Sequence, residues 1–146
     1  MGGAFCGTFI AFILVMYIVL PSVISPETIA IPVFNQVIKN NQKDYFAQGV
    51  ANYCSKESDQ YQKVICVKDE IDKYFFVDMR EDSKIRTPSE TIAKGGVCKE
   101  YTIMVCSTLK NLDIKCKPHT ITGHVFTIAE VNGGYCIIDM NAFECF

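Results

Sequence analysis

The chain has 146 residues and a formal net charge of -2, with 14 basic against 16 acidic side chains, and 49% of its residues are hydrophobic. That length accommodates one domain and a short additional element. A nucleic-acid partner is not expected, because phosphate binding requires clustered Lys and Arg and the basic residues here are scattered along the chain.

Residues 1–25 contain no charged side chain and include Phe9-Ile10-Ala11-Phe12-Ile13-Leu14-Val15-Met16-Tyr17-Ile18-Val19-Leu20. An apolar run of roughly 20 residues is what a helix needs to cross the hydrocarbon core of a bilayer. A cleaved secretory signal would open with basic residues and close on a small-x-small site. No Lys or Arg precedes the run, and Leu20-Pro21-Ser22-Val23-Ile24-Ser25 offers no such site. A buried core helix would carry an apolar stripe, whereas this stretch is apolar all round. These features predict a retained single-pass membrane anchor over residues 1–26 and a separate domain over 27–146. The side of the membrane stays open, since Lys39 and Lys43 lie well past the end of the run and no basic residue precedes it.

Ser25 before Pro26 and Glu27 reads as a helix start, with serine as cap and proline in the first turn, followed by apolar Ile29, Ile31, Val33, Phe34, Val37 and Ile38. A second helix is expected over 42–54. In a third, Ser58 is the cap and Tyr61, Val64, Ile65, Ile71 and Phe75 recur near the helical period. Lys63, Lys68, Asp69, Glu70 and Asp72 then form a solvated face. Residues 78–90 read as a polar loop, and Pro88 disfavours helical geometry in the residue before it. A short helix over 89–94, the Gly95-Gly96 turn and a helix from 98 to about 112 follow, the last with Tyr101, Val105, Leu109 and Leu112 on its core side. Lys99 and Glu100 read as a solvated helix start. Beyond this the period changes, and 114–121, 125–131 and 135–140 read as short strands. Asn132-Gly133 joins the last two, a pair that favours a two-residue hairpin turn. The expected fold class is α+β, with helices packed on a small antiparallel sheet.

Cysteines stand at 6, 54, 66, 98, 106, 116, 136 and 145, and no two have the C-x-x-C spacing. Neither a zinc ribbon nor a thioredoxin-like redox motif is supported, and no metal or cofactor is expected. Cys6 lies before or within the apolar run. Apart from Cys98, the other six either pair as disulfides in an oxidising compartment or serve as small buried hydrophobes in a reducing one. The sequence leaves both open, and Cys106, Cys116 and Cys136 read as core residues.

Lys94-Gly95-Gly96-Val97-Cys98-Lys99-Glu100-Tyr101-Thr102 delivers one cysteine onto the first turn of a helix. A thiol in such a position feels the partial positive charge of unpaired backbone N–H groups, which favours the thiolate form. Gly123-His124-Val125-Phe126 and Ile137-Ile138-Asp139 then supply an imidazole and a carboxylate, giving the set nucleophile, base and orienter. With Asn132 and Gly133 as the loop, Val131 opposes Gly134, Ala129 opposes Cys136, Thr127 opposes Ile138 and Phe126 opposes Asp139. His124 then shares a face with Asp139 as its diagonal neighbour, their backbones roughly 7 Å apart. The helix that starts at Cys98 must pack across that same face to bring sulfur to the ring. His119 follows Pro118 in a polar stretch and reads as surface or strand edge. The implied chemistry is thioester formation at a carbonyl carbon, with backbone N–H groups near Cys98 stabilising the oxyanion, then transfer to water or an amine.

Arg86-Thr87-Pro88-Ser89-Glu90-Thr91-Ile92, Gly96-Val97-Cys98-Lys99-Glu100-Tyr101-Thr102, Gly123-His124-Val125-Phe126 and Asp139 resemble, in order and character, the core motifs of transglutaminase-like proteins over roughly the last 60 residues. The resemblance implies a papain-like thiol fold with Cys98 as nucleophile, His124 as general base and acid, and Asp139 orienting the ring. It implies a protein or peptide substrate. Two positions depart from the family pattern: Phe126 stands where Trp is frequent, and Met140 where Pro commonly follows the aspartate. The larger calcium-dependent crosslinking members carry extra domains for which this length has no room, so hydrolysis of peptide or isopeptide amides is the expected reaction. The other function class is a binding or scaffold module that keeps the fold without turnover, and an intact Cys98, His124 and Asp139 favour the enzyme. Nothing in the sequence indicates an oligomeric state.

Overall fold

Side-chain caps set the starts of three helices. The computed structural model describes residues 26–79 and 84–146, without the side chains of 26–30. Among the described residues five helices come first: α1 (Pro26–Asn41), α2 (Tyr45–Cys54), α3 (Gln60–Asp72), α4 (Pro88–Lys94) and α5 (Cys98–Lys110). Four strands follow: β1 (Cys116–Ile121), β2 (His124–Val131), β3 (Gly134–Ile138) and β4 (Phe143–Cys145). The Asp44 carboxylate accepts from the Phe46 and Ala47 N–H groups, so α2 starts at Tyr45 and not at 42. Asp59, not Ser58, caps α3 through the Gln62 N–H. Thr87 and Glu90 close a full capping box around α4, with Pro88 in its first turn, where a missing N–H costs nothing. Asp44 also accepts from the Ser89 hydroxyl at 2.7 Å, so one carboxylate starts α2 and pins α4 beside it.

The strands form an antiparallel meander in the order β1-β2-β3-β4. The β2–β3 register is the one the Asn132-Gly133 loop demands: Val131 pairs Gly134, Ala129 pairs Cys136 and Thr127 pairs Ile138, with Gly133 at φ 83° in the turn. Strand β4 has no counterpart in the sequence reading. It is three residues long and is joined to β3 by the Cys136–Cys145 disulfide between directly paired residues.

Helix α5 is the centre of the molecule, packed by α1, α2, α3, α4, β1 and β2. Every residue from Glu100 to Leu109 is buried, which corrects the expectation of a single core side. Ser and Thr count as polar in a periodicity reading, yet here their hydroxyls are satisfied locally. Ser107 donates to the Ile103 carbonyl at 2.6 Å and Thr108 to the Met104 carbonyl at 2.8 Å, so burial leaves them paired. The core closes with Ile38, Val64, Val67 and Ile71 on the helical side and Ala129 and Ile138 on the sheet.

Six cysteines are joined in three disulfides, Cys54–Cys66, Cys106–Cys116 and Cys136–Cys145. They tie α2 to α3, α5 to β1 and β3 to β4. Among the described residues no helix is long and apolar enough to cross a membrane. The expected anchor over 1–26 lies outside the described residues, except Pro26, which opens α1.

Candidate active site

Cys98 is the first residue of α5, half-buried, and the free cysteine among the described residues. The turn that precedes it is fixed from several sides. Val77 and Gly96 form a parallel bridge, the Asp78 N–H donating to the Gly96 carbonyl at 3.0 Å and the Gly96 N–H to the Phe76 carbonyl at 3.1 Å. Gly95 has φ 77°, and a Cβ there would stand 2.7 Å from the Phe76 ring and 2.7 Å from the Asp78 Cβ. The residue must therefore be glycine, both for its backbone and for the closeness of the segment lying on it. The Arg86 guanidinium donates to the Lys94 carbonyl at 2.7 Å and the Gly95 carbonyl at 2.6 Å, and pairs with Asp78 at 2.8 Å. Part of the expected polar loop is thus a brace for the turn.

His124 opens β2, and its Nε2 stands 2.7 Å from Asp139 Oδ2. A carboxylate only accepts, so a neutral ring bonded this way carries its proton on Nε2 and leaves Nδ1 as the acceptor. The other Asp139 oxygen accepts from the Met140 N–H at 2.7 Å. Asp139 therefore serves both as ring partner and as cap of its own turn. The pairing follows from the register: Thr127 opposite Ile138 puts Asp139 diagonal to His124, as the sequence requires.

The expectation that α5 packs across the His124 face is overturned. Val125, Thr127 and Ala129, of opposite parity to His124, are buried toward α5, while Phe126 and Ile128 look outward half-exposed. His124 instead stands where β2 begins, at the end of the sheet. The Thr102 hydroxyl donates to the Val125 carbonyl at 3.3 Å, and Cys106 is bonded to Cys116, which pairs with Ala129. The helix thus runs alongside β2 in the same direction, so Cys98, one turn before Thr102 on the same helical face, sits toward the His124 end. The negative charge of Asp139 is also felt by Tyr101 in that first turn. Burial first, then the hydrogen bond to Asp72 and the charges of Asp72, Asp139 and Asp69, push the Tyr101 phenol well above its usual range.

His119 is exposed on edge strand β1, against the Phe126 ring, as its sequence context suggests. A cavity of about 730 Å³ opens on the outer face of the sheet beside Phe126, lined by Lys117, His119, Ile128, Tyr135 and Ile137. Phe126 in turn stacks on His124, their ring centroids 6.5 Å apart. Among the described residues no group of three or more His, Cys, Asp or Glu is arranged to hold a metal ion.

Glu100 is fully buried, which corrects its reading as part of a solvated helix start. Its Oε2 accepts from the Val97 N–H at 3.1 Å. The signal was present as an acidic residue three places after the cap position, but Val97 is not a capping residue type and masks the pattern.

A family model described as a transglutaminase-like domain matches residues 34–144. The chain belongs to the transglutaminase-like family. Neither the curated proteins nor the solved structures supply a match. The transglutaminase-like match spans every element from α2 to β3 and reaches into α1 and β4, so Phe76 to Asp78 and Arg86, which brace the Cys98 turn, belong to the family unit along with the sheet.

Proposed function

We propose that the protein is a membrane-tethered thiol hydrolase that cleaves peptide or isopeptide amides through a thioester on Cys98. What carries this reading is the Nε2–Asp139 bond of His124 at 2.7 Å, at the end of the sheet toward which α5 presents its one unbonded cysteine. His124 Nδ1 takes the thiol proton as sulfur bonds to the carbonyl carbon, and the imidazolium returns that proton to the departing amine as the C–N bond breaks. Water then attacks the thioester, His124 removes its proton, and Cys98 leaves as the thiol beside a free carboxylic acid. Asp139 holds the ring in the required tautomer and steadies its cationic form. Backbone N–H groups at the start of α5 stabilise the tetrahedral oxyanion.

The tether is the uncharged run in residues 1–26, long enough to span a bilayer. Three disulfides support an oxidising location for the rest of the chain, outside the cytosol. The test is labelling of the full-length protein in detergent with a peptide-based thiol-acylating probe, the modified cysteine identified by mass spectrometry. Cys98 labels, and His124→Ala slows it by about 100-fold or more. A Cys98 indifferent to His124→Ala leaves a binding module with this fold. Addition of a primary amine separates hydrolysis from amide exchange by product mass, and removal of residues 1–26 releases the domain from membranes.

A further inference from the structure

Buried carboxylates are expensive unless several donors meet them. Glu100 has none of its surface exposed and sits two residues after Cys98. Its Oε2 accepts from the Val97 N–H at 3.1 Å, its Oε1 faces the Arg86 N–H at 3.5 Å, and the Lys99 ammonium lies 3.8 Å from Oε1. A helix start needs much less than this, because an exposed Ser or Asp cap does the same work from the surface, as Asp59 does for α3.

The difference is what Glu100 connects. Arg86 presents its backbone N–H to the carboxylate while its guanidinium holds the carbonyls of Lys94 and Gly95. Glu100 holds the next amide but one, at Val97. The turn that delivers Cys98 is therefore gripped at its carbonyl end by a cation and at its amide end by an anion. Gly96 belongs to the same arrangement: a Cβ there would stand 2.8 Å from the Glu100 Cβ and 3.0 Å from Thr91 Cγ2, so its missing side chain is the space the glutamate stem occupies.

We propose that Glu100 is a positioning residue for Cys98: by fixing the Val97 amide against the Arg86 brace it sets where α5 begins, and with it the approach of the sulfur to His124. This rests on Cys98 being the nucleophile. A small displacement at the first residue of a helix moves the sulfur by the same amount, and proton transfer to an imidazole requires hydrogen-bond contact. Glu100 holds the Val97 and Arg86 amides, so its effect on reactivity runs through the placement of Cys98.

The test is the pH profile of Cys98 alkylation by iodoacetamide in the full-length protein, read by peptide mass spectrometry, for the wild type, Glu100→Gln, Glu100→Asp and His124→Ala, each with its thermal midpoint. An isolated thiol loses reactivity below about pH 8 as the thiolate disappears, whereas one paired with imidazole stays reactive near about pH 6. Glu100→Gln keeps an acceptor for Val97 but then turns its NH2, a donor, toward the Arg86 N–H. It is expected to cut labelling near pH 6 by about tenfold, with labelling near pH 9.5 within about twofold of wild type. Glu100→Asp, which keeps the charge, recovers part of the low-pH reactivity.

A Glu100→Gln profile that keeps the wild-type shape, whatever its thermal midpoint, assigns the residue a structural role and overturns the proposal. Loss of the fold in both variants does the same. Failure of the underlying reading looks different: the wild type itself then lacks the low-pH limb and His124→Ala changes nothing, which removes the nucleophile and the positioning role together.

Discussion

At the scale of single residues, the Tyr101 phenol is strongly shifted upward, on the helix that carries Cys98. The Tyr101 ring is buried against Phe75 in an edge-on contact, and its hydroxyl donates to Asp72 Oδ1 at 2.7 Å. Burial, this bond and the acidic charges around it raise the phenol above its ordinary value of 10.0. The unfolded chain releases that proton near its ordinary value while the folded chain keeps it, so above about pH 10 the native state binds more protons than the unfolded one. The stability tied to Tyr101 is thus complete below about pH 10 and declines as pH rises beyond it, by up to about 1.4 kcal/mol per pH unit for one proton. Urea unfolding between about pH 8 and pH 11, in a Cys6→Ser/Cys98→Ser background that removes both cysteines outside the three disulfides and so prevents thiol exchange with them, reads this out. Tyr101→Phe lowers stability at neutral pH through the lost bond to Asp72, and flattens the alkaline decline relative to the parent. Parallel curves for the two proteins would remove the phenol as the source. Asp72, expected from the sequence to be part of a solvated face, is in fact where α3 meets the ring from α5. Its position in the helical period shows that it is near the surface, but not which buried hydroxyl reaches out to it.

At the scale of elements, the helix that carries Cys98 starts differently from its neighbours. Asp44, Asp59 and Thr87 cap α2, α3 and α4 with side-chain oxygens, but Val97 at the head of α5 has no oxygen to offer, and no side-chain cap is formed. Only the reverse half of a capping box exists, from the Val97 N–H to Glu100. A Ser or Thr cap is worth about 1 kcal/mol over an apolar residue, so α5 forgoes stability that α2, α3 and α4 keep. An oxyanion forming on a thioester at Cys98 would approach the same end of the helix that a cap oxygen would cover. Val97→Thr, close to isosteric, is therefore expected to raise stability by about 0.5–1 kcal/mol in urea unfolding. It is expected to slow acyl-probe labelling of Cys98 while leaving alkylation by iodoacetamide, which forms no oxyanion, nearly unchanged. Equal effects on both reagents would show that the substitution acts on the thiol and not on an oxyanion site. This element also shows the limit of reading the chain alone. Its start is legible in Gly95-Gly96 followed by an amphipathic run, because turn chemistry is local. Its burial on every side is not, because Ser107 and Thr108 satisfy themselves on their own helix and look polar in a pattern.

Across the whole molecule, what the sequence shows and what it hides divide by the range of the contact involved. The hairpin register, and with it the His124–Asp139 pair, follows from two turn residues and a strand period of two, so it can be counted out from Asn132-Gly133. The packing side of α5 depends on how helix and sheet meet over twenty or so intervening residues, and no local count supplies it. Disulfide pairing is of the second kind, and it has the larger energetic weight. The three bonds close loops with separations of 12, 10 and 9 residues. In the chain-entropy account each such closure contributes about 2.7 kcal/mol, and the three together contribute about 8 kcal/mol. That is comparable with the entire stability of an ordinary domain. Full reduction is accordingly expected to abolish the cooperative thermal transition seen by circular dichroism at neutral pH, and a reduced protein melting within a few degrees of the oxidised one would refute it. The bonds differ in what they position. Cys54–Cys66 joins α2 to α3, whereas Cys106–Cys116 fastens α5 to β1 two helical turns beyond Cys98. Replacing each pair by serines should therefore cost similar stability, but only the Cys106/Cys116 replacement should also slow labelling of Cys98 when both variants are measured at a temperature where they remain folded. Equal labelling in the two would mean that the hydrogen bond from Thr102 to the Val125 carbonyl and the surrounding core already hold the helix against the strand without the covalent link.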